Sequence, residues 1–389
     1  MKIVTIVGAR PQFIKAAAVS RAIQKSNKRK NRIQEIWVHT GQHYDYLMDK
    51  VFFDELDLPR PDYHLGVGSG SHGRQTGVML EKVEAVIKKE KPMVVMVYGD
   101  TNSTLAGALA AAKQNILVAH VEAGLRSYHR TMPEEINRLL TDHLSTFLFC
   151  PTDQAIRNLL REGIKGGRTK IVRNVGDVMY DLILYYSRIA EKRSTILTKL
   201  DLITPHPRTE RFQTVPYRAQ NYYLATLHRA ENTDDPRRLK SILTALNEMG
   251  RKTPVVLPLH PRTKKMIKVH HLFPGFKNIK FIEPVSYLDM LNLEKSAKAI
   301  LTDSGGIQKE AFWLKVPCLT LREETEWFET VKKGWNVLTG TEVKTILREV
   351  DHLEKRRRFP KTDKIFGDGK AGEKIIQTLL RHSANLTNS

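Results

Sequence analysis

Acidic side chains placed directly after short apolar runs carry the first chemical information in this chain. Tyr98-Gly99-Asp100-Thr101-Asn102 puts Asp100 at such an end, and His120-Val121-Glu122-Ala123-Gly124-Leu125-Arg126 puts Glu122 at the next. Met132-Pro133-Glu134-Glu135-Ile136-Asn137-Arg138 adds two acids in what reads as a first helical turn. Carboxylates converging from successive loops can move protons and stabilise a developing cation. Each also has a structural reading: Asp100 as a helix N-cap, and one of Glu134 and Glu135 as a partner of the helix dipole. Glu122 sits in so apolar a stretch that it needs a partner or a function, because burying an unpaired charge is costly.

A second set of residues suits an anion. In Gly8-Ala9-Arg10-Pro11-Gln12-Phe13-Ile14-Lys15, Arg10 and Lys15 straddle a helix start, where their charge adds to amide donors. The alternative is a solvated loop arginine and a surface lysine. G-x-G-x-x-G is absent here, which counts against NAD bound in the usual mode. Leu301-Thr302-Asp303-Ser304-Gly305-Gly306-Ile307-Gln308-Lys309-Glu310 runs from a strand into a helix. Ser304, Gly305 and Gly306 give amides room to approach a diphosphate, and Glu310 is spaced to accept hydrogen bonds from ribose hydroxyls. It is not a Walker A loop. His228, following the run Tyr222–Thr226, is either a proton donor or anion ligand, or a structural strand-end histidine.

Strand-like and helix-like segments alternate around these residues. Lys2–Val7, Ile33–His39, Met93–Tyr98, Ile116–His120 and Phe147–Cys150 read as buried strands. Lys15–Ser26, Gly73–Lys88, Ser103–Lys113 and Glu134–Leu144 read as helices between them, which predicts right-handed βαβ units and a parallel sheet. From Ser187 to Gln220 the chain is charged and carries Pro205, Pro207 and Pro216, as an interdomain connection would. Strands resume at Tyr222–Thr226, Pro254–Leu257, Ile279–Ile282, Ala299–Thr302 and Cys318–Leu321. The expected fold class is α/β, with two Rossmann-like doubly wound domains facing across a cleft. The expected boundaries are 1–186 and 187–366, with a last helix at Ala371–Leu380 inside a tail of 367–389. In such sheets ligands bind at the carboxyl ends of strands, where the polar residues above lie.

Composition limits the function classes. Of 389 residues, 41% are hydrophobic and 27% charged, which excludes a largely disordered chain. A formal charge of +21 points to an anionic partner: nucleic acid, an anionic membrane or a phosphorylated small molecule. No helix-turn-helix, zinc-finger or RRM signature supports nucleic acid. No apolar run approaches the roughly 20 residues of a membrane span. Cys150 and Cys318 are far apart in apolar stretches, so a disulfide framework is not expected, and a reducing, cytoplasmic compartment is. Gly66-Val67-Gly68-Ser69-Gly70 reads as a mobile loop, and Lys355–Arg358 as a solvated face. His39 with His43, and His270 with His271, lack partners at zinc spacing, so no metal site is expected.

Taken together, Gly8-Ala9-Arg10-Pro11, Gly99-Asp100-Thr101, His120 to Arg126, Pro133-Glu134-Glu135, His228-Arg229, Thr302 to Gly306 and Gly367-Asp368-Gly369 resemble the non-hydrolysing UDP-N-acetylglucosamine 2-epimerases. The resemblance covers nearly the whole chain. It implies a GT-B-like fold, a homodimer, and a last helix returning to the first domain. It implies that Asp100, Glu122 and Glu134 are catalytic acids and bases, with His228 near the diphosphate. Arg10, Lys15, Ser304, Gly305, Gly306, Glu310 and Arg322 match positions that hold the UDP-sugar. The implied reaction eliminates UDP to a 2-acetamidoglucal and adds it back with inversion at C2, needing no metal or redox cofactor and supplying sugar nucleotides for surface polysaccharide. Gly-Ala-Arg-Pro-Gln at 8–12 and Thr325-Glu326-Trp327-Phe328-Glu329 look like the branch acting on UDP-2,3-diacetamido-2,3-dideoxyglucuronate. Gln42-His43-Tyr44 lacks the Gln-His-Arg of members activated by their own substrate. The rival readings are a GT-B glycosyltransferase using a UDP-sugar and a basic nucleic-acid-binding protein.

Overall fold

The computed structural model describes residues 1–29, 32–42, 59–202, 221–356, 358–362 and 365–386, without the side chains of Arg10 and of 383–386. The chain divides into two compact units. One comprises Met1–Leu184 with Lys364–Ser389, and the other Tyr185–Asp363.

The first unit is built on seven parallel strands: β1 (Lys2–Val7), β2 (Gln34–His39), β3 (Tyr63–His64), β4 (Val94–Tyr98), β5 (Leu117–Val121), β6 (Phe147–Cys150) and β7 (Ile171–Asn174). Their order is β3-β2-β1-β4-β5-β6-β7. β1, β4 and β6 are buried at nearly every position, as expected of parallel strands covered by helices on both faces. The second unit repeats the plan with β8 (Tyr223–Thr226), β9 (Val255–Pro258), β10 (Ile279–Ile282), β11 (Ala299–Thr302), β12 (Cys318–Thr320) and β13 (Asn336–Leu338). Its order is β10-β9-β8-β11-β12-β13. In both sheets the order reverses between the first strand and the fourth, and the crevice at that switch point is where doubly wound folds bind ligands.

Three strands escaped the sequence reading. β3 is two residues long, β13 is three, and β7 is half-buried with Arg173 and Asn174 in it, so none shows a continuous apolar run. The proposed connection at 187–220 is partly helical: Val178–Arg193 runs through its start, and Ile196–Lys199 follows. Those turns bury Leu182, Ile183, Tyr186 and Ala190, a helical spacing that the flanking charges concealed. The three prolines at 205–216 lie outside the described residues, as do His43 and Tyr44.

The segment Gly66–Gly70 is tied down rather than loose. Val67 N donates to Thr40 O, Gly68 N to Gly41 O, and Gln75 Nε2 to Gly68 O. The last helix, Ala371–Leu386, buries Ile375, Ile376 and Leu379. It packs on the helix Arg10–Asn27 so closely that a Cβ on Gly372 would lie 2.7 Å from Ala18 O. Its N-terminal amides, Ala371 N and Gly372 N, donate to Asp181 at 3.0 and 2.8 Å. Among the described residues no helix is long and apolar enough to cross a membrane.

Candidate active site

At the switch point of the first sheet, the loops after β1 and β4 are joined by one side chain. Gln12 Oε1 accepts from Gly8 N (2.8 Å) and Ala9 N (3.1 Å), while its Nε2 donates to Tyr98 O (2.8 Å) and Thr104 Oγ1 (2.9 Å). All four hydrogen-bonding capacities of a buried amide are thus used, which fixes Gly8–Lys15 against Gly99–Thr104. The arrangement brings Lys15 to the end of β5, where its Nζ lies 2.8 Å from Glu122 Oε1 with both side chains nearly buried. Gly99, at φ +65°, makes room: a Cβ there would stand 3.1 Å from Lys15 Nζ. Burial disfavours the ammonium, but Glu122 and then Asp100 outweigh it and hold the Lys15 pKa above its ordinary value.

Glu122 itself has φ +77°, the left-handed region that non-glycine residues occupy at a cost of about 1–3 kcal/mol. Glu122 N and Ala123 N both donate to Phe149 O at 3.1 Å, so two residues face one partner and the chain turns out of the ladder. That turn re-aims the carboxylate toward Lys15. The rest of the motif secures it. His120 Nδ1 lies 2.7 Å from Asp142 Oδ1, and its Nε2 lies 2.8 Å from Gly99 O. The ring thus bridges the helix Pro133–Leu144 and the end of β4. Asp142 also receives Gly124 N (3.1 Å) and Arg126 Nη1 (2.8 Å), and Arg126 continues to Glu162 at 2.6 Å. Burial works against the Asp142 carboxylate, yet His120 and Arg126 hold its pKa below the ordinary range.

Asp100 is placed by the helix Pro133–Leu144. Arg138 reaches it with Nε (3.0 Å) and Nη2 (2.6 Å), and Asn137 Nδ2 donates to Asp100 O at 2.9 Å. Arg138 Nη1 turns to Glu135 at 2.7 Å. Glu135 is buried, accepts from Ser127 N, Ser127 Oγ and Tyr128 N, and titrates below its ordinary range although desolvation opposes this. Of the paired acids at 134 and 135, the second is therefore an organiser of the preceding loop. Glu134 is exposed and stands outside this network. Thr101, not Asp100, caps the following helix by accepting from Thr104 N.

The second switch point lies between β8 and β11. Asp303, fully buried, accepts from His228 N (3.1 Å), Arg229 N (3.0 Å) and Asn232 Nδ2 (3.3 Å), and lies 3.2 Å from His228 Nδ1. Desolvation opposes its charge, but His228 and these amides keep its pKa low. The helix Gly305–Leu314 starts next to it with Ser304 as N-cap and Gly306 exposed. A Cβ on Gly305 would meet Trp327 Nε1 at 3.3 Å, Glu326 Oε2 at 3.5 Å and Arg229 Nη2 at 3.9 Å, so an indole, a carboxylate and a guanidinium flank the helix start. Arg322, 5% exposed, forms a fork on Glu326 at 3.1 and 3.2 Å. Arg322 Nε and Arg229 Nε are both buried and make no hydrogen bond.

The first unit thus joins Lys15, Asp100 and Glu122, and leaves Glu134 apart. Lys15, expected as a cation for the substrate, has its charge committed to Glu122. The Arg10 side chain lies outside the described residues. The second unit groups His228, Ser304, Gly305, Gly306 and Arg322, with Glu310 further along the same helix. Sequence reasoning missed Arg138, Asp142, Asp303 and Arg229 as site residues. Arg138 was signalled by its i,i+3 spacing from Glu135 and Arg229 by adjacency to His228; the roles of Asp142 and Asp303 depend on long-range pairing. Among the described residues no three His, Cys, Asp or Glu side chains group as a metal site.

Two Rossmann-like units, with a carboxylate cluster at one switch point and a glycine-rich helix start beside two arginines at the other, define a GT-B-like type of enzyme. A family model described as UDP-N-acetylglucosamine 2-epimerase matches residues 25–380, and the chain belongs to that family of isomerases. A UDP-N-acetylglucosamine 2-epimerase homolog of Methanococcus maripaludis is 51% identical, covering 97% of this chain and 99% of its own. The UDP-2,3-diacetamido-2,3-dideoxy-D-glucuronate 2-epimerase of Pseudomonas aeruginosa is 47% identical, covering 98% and 100%. The crystal structure of Methanocaldococcus jannaschii UDP-GlcNAc 2-epimerase in complex with UDP-GlcNAc and UDP is 47% identical, superposes with a TM-score of 0.82, and covers 98% and 100%.

Proposed function

We infer that this enzyme inverts C2 of a UDP-linked 2-acetamido sugar by eliminating UDP and adding it back. The C2 proton is not α to a carbonyl, so direct removal is slow. Breaking C1–O first gives an oxocarbenium-like carbon, which acidifies C2 and leaves UDP as an anion. Carboxylates then stabilise the cation and transfer the proton, while amides and cations stabilise the departing diphosphate. Asp100 and Glu122 supply the carboxylates, and Glu134, exposed on the next helix, is the third. Ser304, Gly305, Gly306, Arg229, Arg322 and His228 hold the diphosphate, and Glu310 the ribose. The observation that carries this reading is the strained, left-handed Glu122 paired with Lys15 beside Asp100, because stored backbone strain clusters where a side chain must be aimed.

Within this class two substrates compete, plain UDP-N-acetylglucosamine and its 2,3-diacetamido uronate analogue. Identity does not choose, being 47% to one relative of each kind. Trp327, packed against the Gly305 turn, supports the uronate. Incubation with each compound, followed by NMR of the C2 configuration, decides; no turnover of either sinks the reading. A glycosyltransferase would instead consume an acceptor and release UDP stoichiometrically.

Homodimerisation is supported by Ile136 and Leu140, one turn apart on the helix Pro133–Leu144 and 48% and 47% exposed, with Tyr128 and Leu160 also exposed in the first unit. Ile136→Glu is expected to yield monomers by light scattering. Buried, unpaired Cys150 and Cys318 support a reducing, cytoplasmic setting. A UDP-activated amino sugar as product supports a role in supplying sugar nucleotides for surface polysaccharide synthesis.

A further inference from the structure

The helix Tyr287–Ser296 turns one carboxyl inward. Glu294 is 0% exposed, and both its oxygens are sealed from solvent with no N–H or hydroxyl group donating to them. Tyr222, beside it and immediately before β8, gives its hydroxyl hydrogen to Leu293 O at 2.6 Å. Cys318, from β12, is a buried thiol whose pKa burial pushes up to about 12, with Glu294 adding to the effect. From the helix Gly305–Leu314 comes Glu310, 8% exposed and within hydrogen-bonding reach of Glu294. These are the titratable groups that meet Glu294 among the described residues, and none is a cation.

Two carboxylates cannot share a buried contact without a hydrogen between them, since like charges in a poorly solvated site cannot both ionise. One of the pair is a carboxylic acid. Glu294 is the more deeply buried, and desolvation followed by the charge of Glu310 pushes its pKa well above the ordinary range. Glu310 sits on the second turn of the helix whose first amides face the diphosphate.

We propose that Glu294 is a positioning residue: it holds the proton of a buried Glu294–Glu310 pair and donates it to Glu310, fixing that carboxylate as an acceptor for the ribose hydroxyls of a uridine nucleotide. The inference rests on the placement of Glu310 on the ribose given above. A neutral donor behind Glu310 leaves its front oxygen fully charged for the ligand, and an apolar residue there leaves the carboxylate without its supporting bond. Loss of the shared proton at high pH sets two anions against each other, so nucleotide affinity falls as pH rises.

The test is calorimetric binding of UDP and of 2′-deoxy-UDP to the full chain, across about pH 6 to 9, for wild type, Glu294→Gln and Glu294→Leu. Glu294→Leu is expected to weaken UDP binding about tenfold or more at neutral pH, the scale of a lost hydrogen bond to a charged group. Glu294→Gln, which still donates, restores the affinity and removes the alkaline decline seen in wild type. A second measurement needs no ligand. The thermal midpoint of Glu294→Gln should rise relative to wild type as pH climbs above the ordinary glutamate value of about 4.3, because only the wild type must keep a proton it would otherwise release. Equal UDP affinity in wild type and Glu294→Leu, or a midpoint difference that does not change with pH, overturns the pair. Equal binding of UDP and 2′-deoxy-UDP by wild type, with the pH-dependent midpoint intact, sinks the ribose placement of Glu310 instead.

Discussion

The two switch points are built on the same topology and different electrostatics. In the first unit the buried and half-buried charges around β4 and β5 are answered from within: Lys15 by Glu122, Asp100 and Glu135 by Arg138, Asp142 by Arg126 and His120, with exposed Glu134 apart from them. In the second, the buried carboxylate Asp303 is spent on backbone amides and Arg322 forks on Glu326, while Arg229 and Arg322 each keep a buried Nε with no acceptor. A self-neutralised cluster suits groups that must exchange protons without drifting in position. Donors with spare capacity suit a diphosphate that arrives with its own charge. The same plan of strand, loop and helix thus carries a self-paired carboxylate cluster in one unit and, under the proposed function, the diphosphate donors in the other.

That contrast can be broken from either side. The largest effect is expected from Asp100→Asn and Glu122→Gln, which should lower kcat by about 10²–10⁴-fold with little change in KM, as removal of an acid or base does. A KM effect without a kcat effect would move these residues to binding. Next in size, Asp142→Asn removes the negative charge and one of the two acceptor oxygens that His120, Gly124 and Arg126 converge on, and should cost about 3–5 kcal/mol in chemical denaturation, as breaking a buried ion pair from one side does. The same residue gives a pH signature. Its folded pKa is depressed, so its contribution is present above the ordinary carboxylate range and is lost as pH falls through the folded value. Acid unfolding of wild type should therefore be steeper than that of Asp142→Asn.

On the other side of the comparison, Arg322→Ala should weaken UDP binding about tenfold, the scale of a charge-assisted hydrogen bond, and leave the deuterium exchange of bound sugar largely intact. A kcat loss with unchanged UDP affinity would contradict the division of labour between the units. The smallest effect is a control: Lys25→Ala removes an exposed pair with Glu373 on the last helix and should cost no more than about 0.5 kcal/mol.

Much of this was legible in the residue order. Buried parallel strands such as Val94–Tyr98 and Ala299–Thr302 announce themselves as unbroken apolar runs, and the polar residues following them mark the sheet's carboxyl edge. That reading put Asp100, Glu122, His228 and Ser304–Gly306 at strand ends, where the structure has them. Partnerships were not legible. Nothing in Lys15 or Glu122 alone announces that they meet across 107 positions, nor that Glu135 rather than Glu134 is the buried acid. β7 and β13 were missed because short, half-buried strands lack the run that betrays central ones.

The sequence charge of +21 is also better placed now. Lys15, Arg126, Arg138 and Arg322 neutralise carboxylates within the protein, and Arg229 and Arg322 are the cations proposed for an anionic nucleotide. The motifs, more than the overall charge, say which anion is meant.

The most direct test of the account is epimerisation in deuterium oxide. With UDP-N-acetylglucosamine or its diacetamido uronate analogue, NMR should show a product still linked to UDP, inverted at C2 and carrying solvent deuterium there, while Glu122→Gln shows almost none. Product that retains the original C2 hydrogen, or stoichiometric release of free UDP, would contradict elimination and readdition.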